Sequence, residues 1–596
     1  MMKNSLRIFL LAGLIIFSKS LLAQFSAEIT ASDLKKEIGY LASDSLKGRK
    51  PGTPGDTSAA AYIRDCFNKA GIKLLFDKGF QKFEVVADVK AGTNNSFAFA
   101  GSGDLIPGTD FTPLSFSATA SATAGVVFAG YGFELNLDSL KWNDYKNLDV
   151  KGKWVMILRG DPEPDKSNSF FIPYEQERSK VLTAKDKGAA GVFLVSPSDI
   201  EKKDVIMHLQ YDKSPSDAGL PVFSITRALA DKLLASMNYT VAALETEMKD
   251  NHKPVSLLLG TIVKANAEII KTKVITQNVA GIITGTDPVL KNEYVIIGAH
   301  FDHLGMGGEG SGSRAPETPA IHNGADDNAS GTAGVIELAQ KLAANRDQLK
   351  RSVVVVAFTG EEMGLLGSKE FVSKPPVDLK KVNAMVNLDM IGRFNKETKT
   401  ISISGTGTST ESDSILKVLE KKRDFKVTHS SDGYGPSDHA SFYSENMPVF
   451  YFTTGVHDQY HTPADDADLI DYDGEVAVLD LVYALVNNVS NGKKLIFHEA
   501  GSKQGTKYSR NLKVTLGIVP DMVSSDNDGL RVDGVRAGGP ADKAGIVKGD
   551  RIVSIEGQTV TNIYDYMARL GTLKPGQVAS VEIVRKNKKQ VLIVQF

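Results

Sequence analysis

Histidines and acidic residues follow several apolar runs in the middle of the chain, and each run has the length of a β-strand. The runs are YVIIGAHFDH, VVVVAFTGEEMG, AMVNLDMIGR and VFYFTTGVHDQYHTPADD. In an open α/β sheet the carboxyl ends of the strands border one crevice, so these side chains are expected to converge. Imidazole nitrogen and carboxylate oxygen are ligands that suit zinc. The candidate ligands and their neighbours are His300, Asp302, His303, Glu361, Glu362, Asp389, His457, Asp458 and His461.

A second acidic feature is the loop NGADDNASG, residues 323–331, in which Asp326 and Asp327 are adjacent and no Lys or Arg offsets them. The stretch SGTAGVIELAQKLA predicts a helix over 330–343. Asp326 therefore lies just before a helix N-terminus, which tolerates negative charge. That effect is small, whereas desolvating a cluster of unpaired acids is costly. A divalent cation would resolve the conflict, and two would resolve it better.

The charges of the candidate ligands balance two zinc ions. Asp326, Glu362 and Asp389 supply three negative charges and a bridging hydroxide supplies a fourth, while His300 and His461 are neutral. Paired metal ions about 3.5–4 Å apart are common in hydrolytic sites. A Ca²⁺ loop is the competing interpretation of ADDNASG, but its acidic spacing does not match an EF-hand. The sequence therefore predicts two Zn²⁺ ions per chain.

Blocks of different character must position these residues. Amphipathic spacing predicts helices within 26–49 and 57–72, and strand-length apolar runs alternate with helical stretches from about 274 to 490. This alternation is typical of an α/β fold with a mostly parallel or mixed sheet flanked by helices. The predicted segments are an export signal (1–23), an α/β domain in two parts (24–104 and 256–499), a β-rich insert (105–255), a linker (500–510) and a small strand-rich domain (511–596).

The N-terminus has the pattern of an export signal. Lys3 and Arg7 accompany the apolar run IFLLAGLIIF, and Ala23 offers a small residue for cleavage, so the mature chain is expected to begin near Gln24. A membrane anchor is the alternative, although the run is short for a span. No later stretch is long and apolar enough to cross a bilayer. We therefore expect an exported protein, periplasmic or extracellular, with no stable membrane span after signal removal.

Composition excludes several kinds of partner and site. The formal net charge of −2 gives no indication of nucleic acid or an anionic membrane as partner. Cys66 is the only cysteine, which excludes an internal disulfide and a cysteine metal site. Its spacing with Ala and Phe in AAYIRDCFNKAG predicts a helix with Cys66 in the core.

Five motifs occur in the order AHFDHLG, NGADDNASG, FTGEEMGLLGS, NLDMIG and YHTPADD. This series resembles the co-catalytic zinc aminopeptidases of peptidase family M28. The resemblance implies that His300 and Asp389 bind one zinc ion and that Glu362 and His461 bind the other. It also implies that Asp326 bridges the two ions and that the peptide bond following Asp326 is cis.

The same resemblance implies roles for residues around the metals. Glu361 is expected to be the general base, and Asp302 is expected to orient the first metal-binding imidazole. Tyr460 corresponds to a residue that polarises the substrate carbonyl in some relatives. For Asp438 and His439 in SDHASFY, a structural hydrogen bond and a role in the site stay open. The other histidines are expected to be structural or solvent-facing: His303, His322, His429 and His457.

Two further blocks resemble known domains. The insert resembles a protease-associated (PA) domain through GVVFAGYGF, NLDVKGKWVMILRG and KDKGAAGVFLVS. The final block resembles a PDZ domain, an α+β or β-barrel-like fold, in which TLGI (515–518) would be the carboxylate-binding loop. A C-terminal or extended peptide would add there as a strand. The alternative is a PDZ domain that only packs on its neighbour.

We therefore expect a secreted dinuclear zinc exopeptidase, specifically an aminopeptidase that releases N-terminal residues from peptides with metal-activated water. A carboxypeptidase is one alternative; it would need arginines to hold a terminal carboxylate, and Arg314 and Arg393 are nearby in the sequence. A receptor or binding protein without metals on the same scaffold is another. A glutaminyl cyclase is disfavoured because it uses fewer metal ligands than this sequence offers.

Overall fold

The structure is a computed structural model. The described residues form two compact units, the first comprising those up to Phe83 and from Thr276 to residue 500, the second comprising Glu84–Ile275 and those from residue 514 onwards. None of the described helices combines the length and the apolar character that a membrane span requires. The structure describes residues 28–137, 140–166, 169–211, 217–317, 319–394, 398–500, 514–520, 528–535, 538–560, 566, 569–571 and 573–596.

The first helices begin at threonine caps, as their sequences favour. The side chains of Thr30 and Thr53 accept backbone N–H bonds from Asp33 and Asp56 in the first turns of two helices. In chain order the described α-helices are α1 (Ala31–Leu41), α2 (Pro54–Lys69), α3 (Glu177–Asp186), α4 (Arg227–Leu234), α5 (Val241–Asn251), α6 (Gly331–Ala344), α7 (Leu366–Ser373), α8 (Ser412–Glu420), α9 (His439–Ser444), α10 (Tyr472–Asn491) and α11 (Pro540–Ala544).

The strands coincide with the apolar runs of the sequence. In chain order the described strands are β1 (Lys73–Leu74), β2 (Phe80–Ala91), β3 (Ser96–Ala98), β4 (Phe111–Pro113), β5 (Ala120–Ala129), β6 (Glu134–Asn136), β7 (Lys141–Asn143), β8 (Trp154–Leu158), β9 (Gly191–Val195), β10 (Val222–Ile225), β11 (Ser256–Ala267), β12 (Ile269–Ile283), β13 (Tyr294–His300), β14 (Ser352–Phe358), β15 (Val382–Leu388), β16 (Thr400–Ser404), β17 (Lys426–His429), β18 (Val449–Thr453), β19 (Ile518–Pro520), β20 (Leu530–Val535), β21 (Arg551–Ile555), β22 (Gln558–Thr559), β23 (Val578–Arg585) and β24 (Lys588–Gln595).

The first unit is built on a mixed sheet. Its strand order is β1–β12–β14–β13–β15–β18–β16–β17, and β2 also pairs with β12. The centre, β14–β13–β15–β18, is parallel, whereas β12 and β16 join it in antiparallel orientation. These central strands are almost entirely buried, as is typical of parallel strands covered on both faces. The predicted mixed α/β sheet is confirmed.

Helices cover both faces of this sheet. On one face α1, α2, α6 and α10 share a core with Val353 and Val355 of β14. On the other face side chains of α7 and α9 pack against Val354 and Val356, the alternate residues of the same strand. Cys66 of α2 is buried in the first of these cores, as its helical spacing predicted.

The second unit contains two larger sheets with separate apolar cores and a two-stranded sheet, β6–β7. One sheet has the order β3–β11–β5–β8–β9–β10–β4 and is accompanied by α3, α4 and α5. In its core the rings of Trp154 and Phe193 stack with their centroids 4.4 Å apart. The other sheet, β19–β20–β21–β23–β24 with β22 paired to β21, encloses a core that includes Leu516, Ile552 and Val581. The first of these sheets includes β3 and β11, which lie outside the predicted β-rich insert of 105–255.

Several predictions fall outside the described residues or differ from the structure. The predicted export signal (1–23) and residues 501–510 of the predicted linker lie outside the described residues. The division between the units follows Phe83 and Ile275, inside β2 and β12, rather than residues 104 and 255. The predicted boundaries followed changes in amino-acid composition. Such changes do not show where a long strand passes from one unit to the other.

A buried carboxyl group on α6 makes the first unit sensitive to pH. Burial, assisted by the negative charges of Asp33 and Glu37, raises the pKa of Glu337 from 4.5 to about 8. Between pH 4.5 and about 8 the folded state therefore keeps a proton that the unfolded chain loses, and the free energy of unfolding falls as pH rises through this range.

We predict that Glu337→Gln leaves the melting temperature nearly unchanged near pH 4 and raises it near pH 8.5. The gain near pH 8.5 should be about 5 kcal/mol, since the rise from 4.5 to about 8 is about 3.5 pKa units and one unit corresponds to about 1.4 kcal/mol. Calorimetry at the two pH values measures it. Glu370→Gln, at a carboxylate that pairs with Lys374, is the control. A gain of equal size at both pH values would contradict the prediction.

Candidate active site

The central strands bring the predicted residues to one edge of the sheet. His300 is the last residue of β13, and Asp389 directly follows β15. Glu361 and Glu362 lie three and four residues after β14, and the segment that carries His461 follows β18. Because these four strands are parallel, their carboxyl ends meet, as expected.

Asp327 stands between two groups of side chains. Its Oδ1 lies 3.4 Å from His300 Nε2, which lies 3.4 Å from Asp389 Oδ1. Its Oδ2 lies 3.1 Å from His461 Nε2, which lies 3.3 Å from Glu362 Oε2. One carboxylate thus offers a separate oxygen to each group, which is the arrangement of a bridging ligand.

The structure does not place Asp326 in this position. Its Oδ1 accepts hydrogen bonds from the N–H of Gly392 (2.7 Å) and from Ser330 Oγ (3.1 Å), and its Oδ2 lies 3.2 Å from His457 Nε2. The cis peptide bond likewise follows Asp327 rather than Asp326. Both assignments are shifted by one residue because neighbouring side chains leave the turn Ala325–Ser330 in different directions.

The geometry fits divalent cations held by nitrogen and oxygen. Within each of two groups the ligand atoms lie within 4.8 Å of one another, and the groups share Asp327. Carboxylate and imidazole donors at such spacing match the ligand types of zinc. These candidate sets are His300–Asp327–Asp389 and His303–Asp327–Glu362, and the second contains His303 in place of His461, whose Nε2 also lies 3.3 Å from Glu362 Oε2.

Burial and mutual repulsion shift the acid–base properties of the cluster. Burial, with the negative charges of Glu362 and Asp389, raises the pKa of Glu361 well above its ordinary value, against the effect of His300. Burial opposes charge on His300 and His461, but the neighbouring carboxylates outweigh it and raise the pKa of both imidazoles. Four carboxyl groups thus face two imidazoles, and the excess negative charge is relieved by the protons that Glu361 and Asp389 retain.

Asp302 connects the first imidazole to Glu361. Its Oδ1 accepts the backbone N–H of Glu361 at 3.1 Å. His300 Nδ1 lies 3.2 Å from the backbone oxygen of Asp302 and 3.7 Å from Asp302 Oδ1. The imidazole is therefore oriented by the Asp302 backbone as well as by its carboxylate, and the carboxylate also fixes the backbone that carries Glu361.

Tyr460 lies beside the second group. Its ring stacks on that of His461 with centroids 3.8 Å apart. Burial, together with the negative charges of Asp327 and Glu362, raises the pKa of Tyr460 well above its ordinary value. The phenol therefore keeps its proton and is a hydrogen-bond donor. His461 Nδ1 lies 3.0 Å from the backbone oxygen of Gly312, which leaves Nε2 facing the carboxylates.

Two histidines expected to be structural or solvent-facing contact the acidic cluster. His303 Nδ1 lies 2.8 Å from Glu362 Oε1 and 3.8 Å from Asp327 Oδ2. His457 Nε2 lies 3.2 Å from Asp326 Oδ2. In the sequence, only the second histidine of HFDH indicated that His303 could lie near this cluster.

Asp438 and His439 are both fully buried. The ring of His439 stacks on Tyr451 with centroids 4.5 Å apart, and burial lowers the pKa of His439 to about 3. Burial raises the pKa of Asp438 to about 7, against the opposing effect of His300. His439 is thus neutral, while Asp438 belongs to the electrostatic surroundings of the cluster.

Sequence reasoning missed two residues that hold the Asp327 loop by its backbone. Asp465 accepts the N–H groups of Asp326 (3.1 Å) and Asp327 (3.0 Å). Arg49, buried between α1 and α2, donates to the backbone oxygens of Phe301 (2.6 Å) and Gly324 (3.0 Å). Arg49 carried no signal because it is 252 residues from Phe301 in sequence.

Three family models match this chain. Residues 278–486 match peptidase family M28, residues 114–233 match the PA domain, and residues 514–595 match the PDZ domain. The predicted combination of these domains is confirmed, with the PA domain inserted before the M28 domain.

The curated relatives include aminopeptidases. A probable leucine aminopeptidase of Arthroderma benhamiae is 33% identical over 178 residues, which is 28% of this chain and 43% of that protein. Aminopeptidase YwaD of Bacillus subtilis is 24% identical over 457 residues, 74% of this chain and 82% of that protein. The chain thus spans less than half the length of the first of these relatives.

Solved structures of similar fold include an aminopeptidase from Aneurinibacillus sp. strain AM-1. It is 21% identical, with a TM-score of 0.48, covering 78% of this chain and 96% of that one. BSAP, a zinc aminopeptidase from Bacillus subtilis, is 22% identical, with a TM-score of 0.45, covering 80% of this chain and 100% of that one.

We predict that Arg49→Met destabilises the first unit by about 3 kcal/mol, because several carbonyl oxygens lose a charged donor. Calorimetric unfolding measures the change. Arg64→Met is the matched control, since Arg64 pairs with its neighbour Asp65 at 2.6 Å on the surface. Equal stabilities of the two variants would show that Arg49 does not hold the loop.

Proposed function

We propose that this chain, which combines a peptidase family M28 domain with a PA domain and a PDZ domain, is an exported dinuclear zinc aminopeptidase. The observation that carries the proposal is the position of Asp327, with one oxygen toward each of two ligand groups. The curated aminopeptidase relatives support the reaction, and the donor set supports the metal.

The ligand roles follow from the distances. His300 and Asp389, with Asp327 Oδ1, would hold one zinc ion. Glu362 and His461, with Asp327 Oδ2, would hold the other. Asp327 replaces Asp326 as the shared ligand, and the charge count is unchanged because one aspartate takes the place of another.

The chain's own residues divide the remaining work. Bound zinc ions supply Lewis acidity that activates water and polarises the scissile carbonyl. Glu361 takes a proton from the attacking water and passes it to the nitrogen of the leaving amine. Asp302 fixes this base by accepting the N–H of Glu361 at 3.1 Å. The Tyr460 hydroxyl, which keeps its proton, donates a hydrogen bond to the carbonyl oxygen.

Substrate polarity favours cleavage from the N-terminus. The two zinc ions would balance the carboxylates that bind them, so a terminal carboxylate would need further positive charge from side chains. A carboxypeptidase would need an arginine clamp. Arg314 instead contacts the site through its backbone N–H, which donates to the backbone oxygen of His461, and Arg393 donates to Gln459.

The proposal has two further parts: export of the chain, and peptide binding by the PDZ domain. The pattern of Lys3, Arg7 and the apolar run 8–17 supports export to the periplasm or beyond. The segment TLGI, residues 515–518, leads into β19, where a peptide would add as a strand.

We predict that Glu361→Gln lowers kcat on amino-acid anilides by about 100-fold or more while zinc content stays unchanged. The reason is that the amide cannot accept the proton of the attacking water. Release of the anilide chromophore and elemental analysis are the two measurements, and Glu370→Gln is the control. An N-acetylated anilide tests the polarity: its rapid hydrolysis by the wild-type chain would reject an aminopeptidase.

We predict that Asp327→Asn and Asp326→Asn differ in zinc content. Asp327→Asn should retain fewer than two zinc ions per chain after dialysis, because the shared anionic ligand is lost. Asp326→Asn should retain both, since an amide oxygen can still accept the N–H of Gly392. Elemental analysis of both proteins decides the matter, and the reverse result would restore Asp326 as the bridging residue.

A further inference from the structure

His303 is held in one orientation beside the candidate metal groups. It follows the end of β13 by three residues and is buried. A Cβ atom at Gly324 would approach the Cδ2 atom of His303 to 2.5 Å, so the glycine makes room for the ring. The ring of His461 lies across it, with centroids 5.7 Å apart and an interplanar angle of 70°.

The two oxygens of Glu362 face different histidines. Oε1 lies 2.8 Å from His303 Nδ1, whereas Oε2 lies 3.3 Å from His461 Nε2. The next carboxylate oxygen near His303 Nδ1, Asp327 Oδ2, is 3.8 Å away. His303 therefore pairs with one oxygen of Glu362 and leaves the other to the second ligand group.

We propose that His303 is a positioning residue for the zinc ion assigned to Glu362 and His461, acting by donating its Nδ1–H to Glu362 Oε1. The proposal rests on the proposed function, which places a zinc ion there. The hydrogen bond fixes the rotation of the carboxylate and directs Oε2 to the metal. Hydrogen-bond partners of metal ligands typically contribute about 10- to 100-fold to metal affinity.

The 2.8 Å separation is shorter than the 3.1–3.4 Å between the atoms assigned to the metals, which argues for a hydrogen bond rather than direct ligation by His303. It is an ordinary N–H···O length. A ring nitrogen that donates its proton to a carboxylate has no free lone pair for a metal ion. Direct ligation through Nδ1 would require Glu362 Oε1 to move away from the ring.

Three variants of the full chain test the inference. His303→Leu removes the donor at similar volume, and His303→Asn keeps an N–H donor near the position of Nδ1. His322→Leu is the matched control, because His322 is a buried histidine whose ring centroid lies 6.4 Å from that of His303 and whose Nε2 lies 2.8 Å from Ser313 Oγ. The dissociation constant of each zinc ion is measured by competition with a chelator.

We expect His303→Leu to weaken the binding of one zinc ion by about 10- to 100-fold and the binding of the other by less than about 3-fold. His303→Asn should recover most of that loss, and His322→Leu should bind both ions as the wild type does.

Wild-type affinities in His303→Leu would overturn the inference. So would an equal loss in His322→Leu, which would indicate disturbed packing. Failure of asparagine to rescue would point to direct ligation instead. A wild-type chain that binds fewer than two zinc ions would count against the proposed function, whereas the comparison of variants tests His303 alone.

Discussion

The repulsion between buried carboxylates is the constraint on which the rest of this site depends. Asp327, Glu361, Glu362 and Asp389 lie close together at one edge of the sheet, with His300 and His461 between them. Uncompensated charge in such surroundings is costly. The cluster reaches neutrality in two ways: by keeping protons, as the raised pKa values of Glu361 and Asp389 show, or by binding divalent cations. In the second case Glu361 can ionise, as the proposed general base must.

Several supports of this cluster bind its backbone rather than its carboxylate side chains. Asp465 accepts backbone N–H groups of the Asp327 loop, and Arg49 donates to the backbone oxygens of Phe301 and Gly324. Asp302 accepts a hydrogen bond from the backbone N–H of Glu361. A loop held in this way keeps its side chains at fixed angles without adding further charged partners to the ligand groups. Such preorganisation is what metal ligands and a catalytic base require.

Much of this architecture follows from the sequence because it depends on local pattern and general topology. Apolar runs of strand length that end in His300 or Asp389 predict both the sheet and the edge at which the ligands meet. Which of Asp326 and Asp327 stands between the two groups depends instead on the dihedral angles of one irregular turn. Two adjacent aspartates in a sequence give no information about those angles. His303 could not be assigned because its role depends on a distance to Glu362, 59 residues away.

The N-terminal segment is part of the same site, which explains how the chain accommodates a large insert. Asp56 of α2 is buried, and burial raises its pKa to about 7. Its carboxylate accepts hydrogen bonds from Thr276 (2.8 Å) and from Thr359 (3.1 Å), the residue two positions before Glu361. The chain leaves the first unit in β2 and returns in β12, and these two strands pair.

Because the two ends of the insert lie on paired strands, an added domain leaves the hydrogen bonds around Asp56 intact. The first unit therefore includes residues on both sides of the insert. A segment that began only after the insert would lack Asp56 and the Arg49 that holds the Asp327 loop.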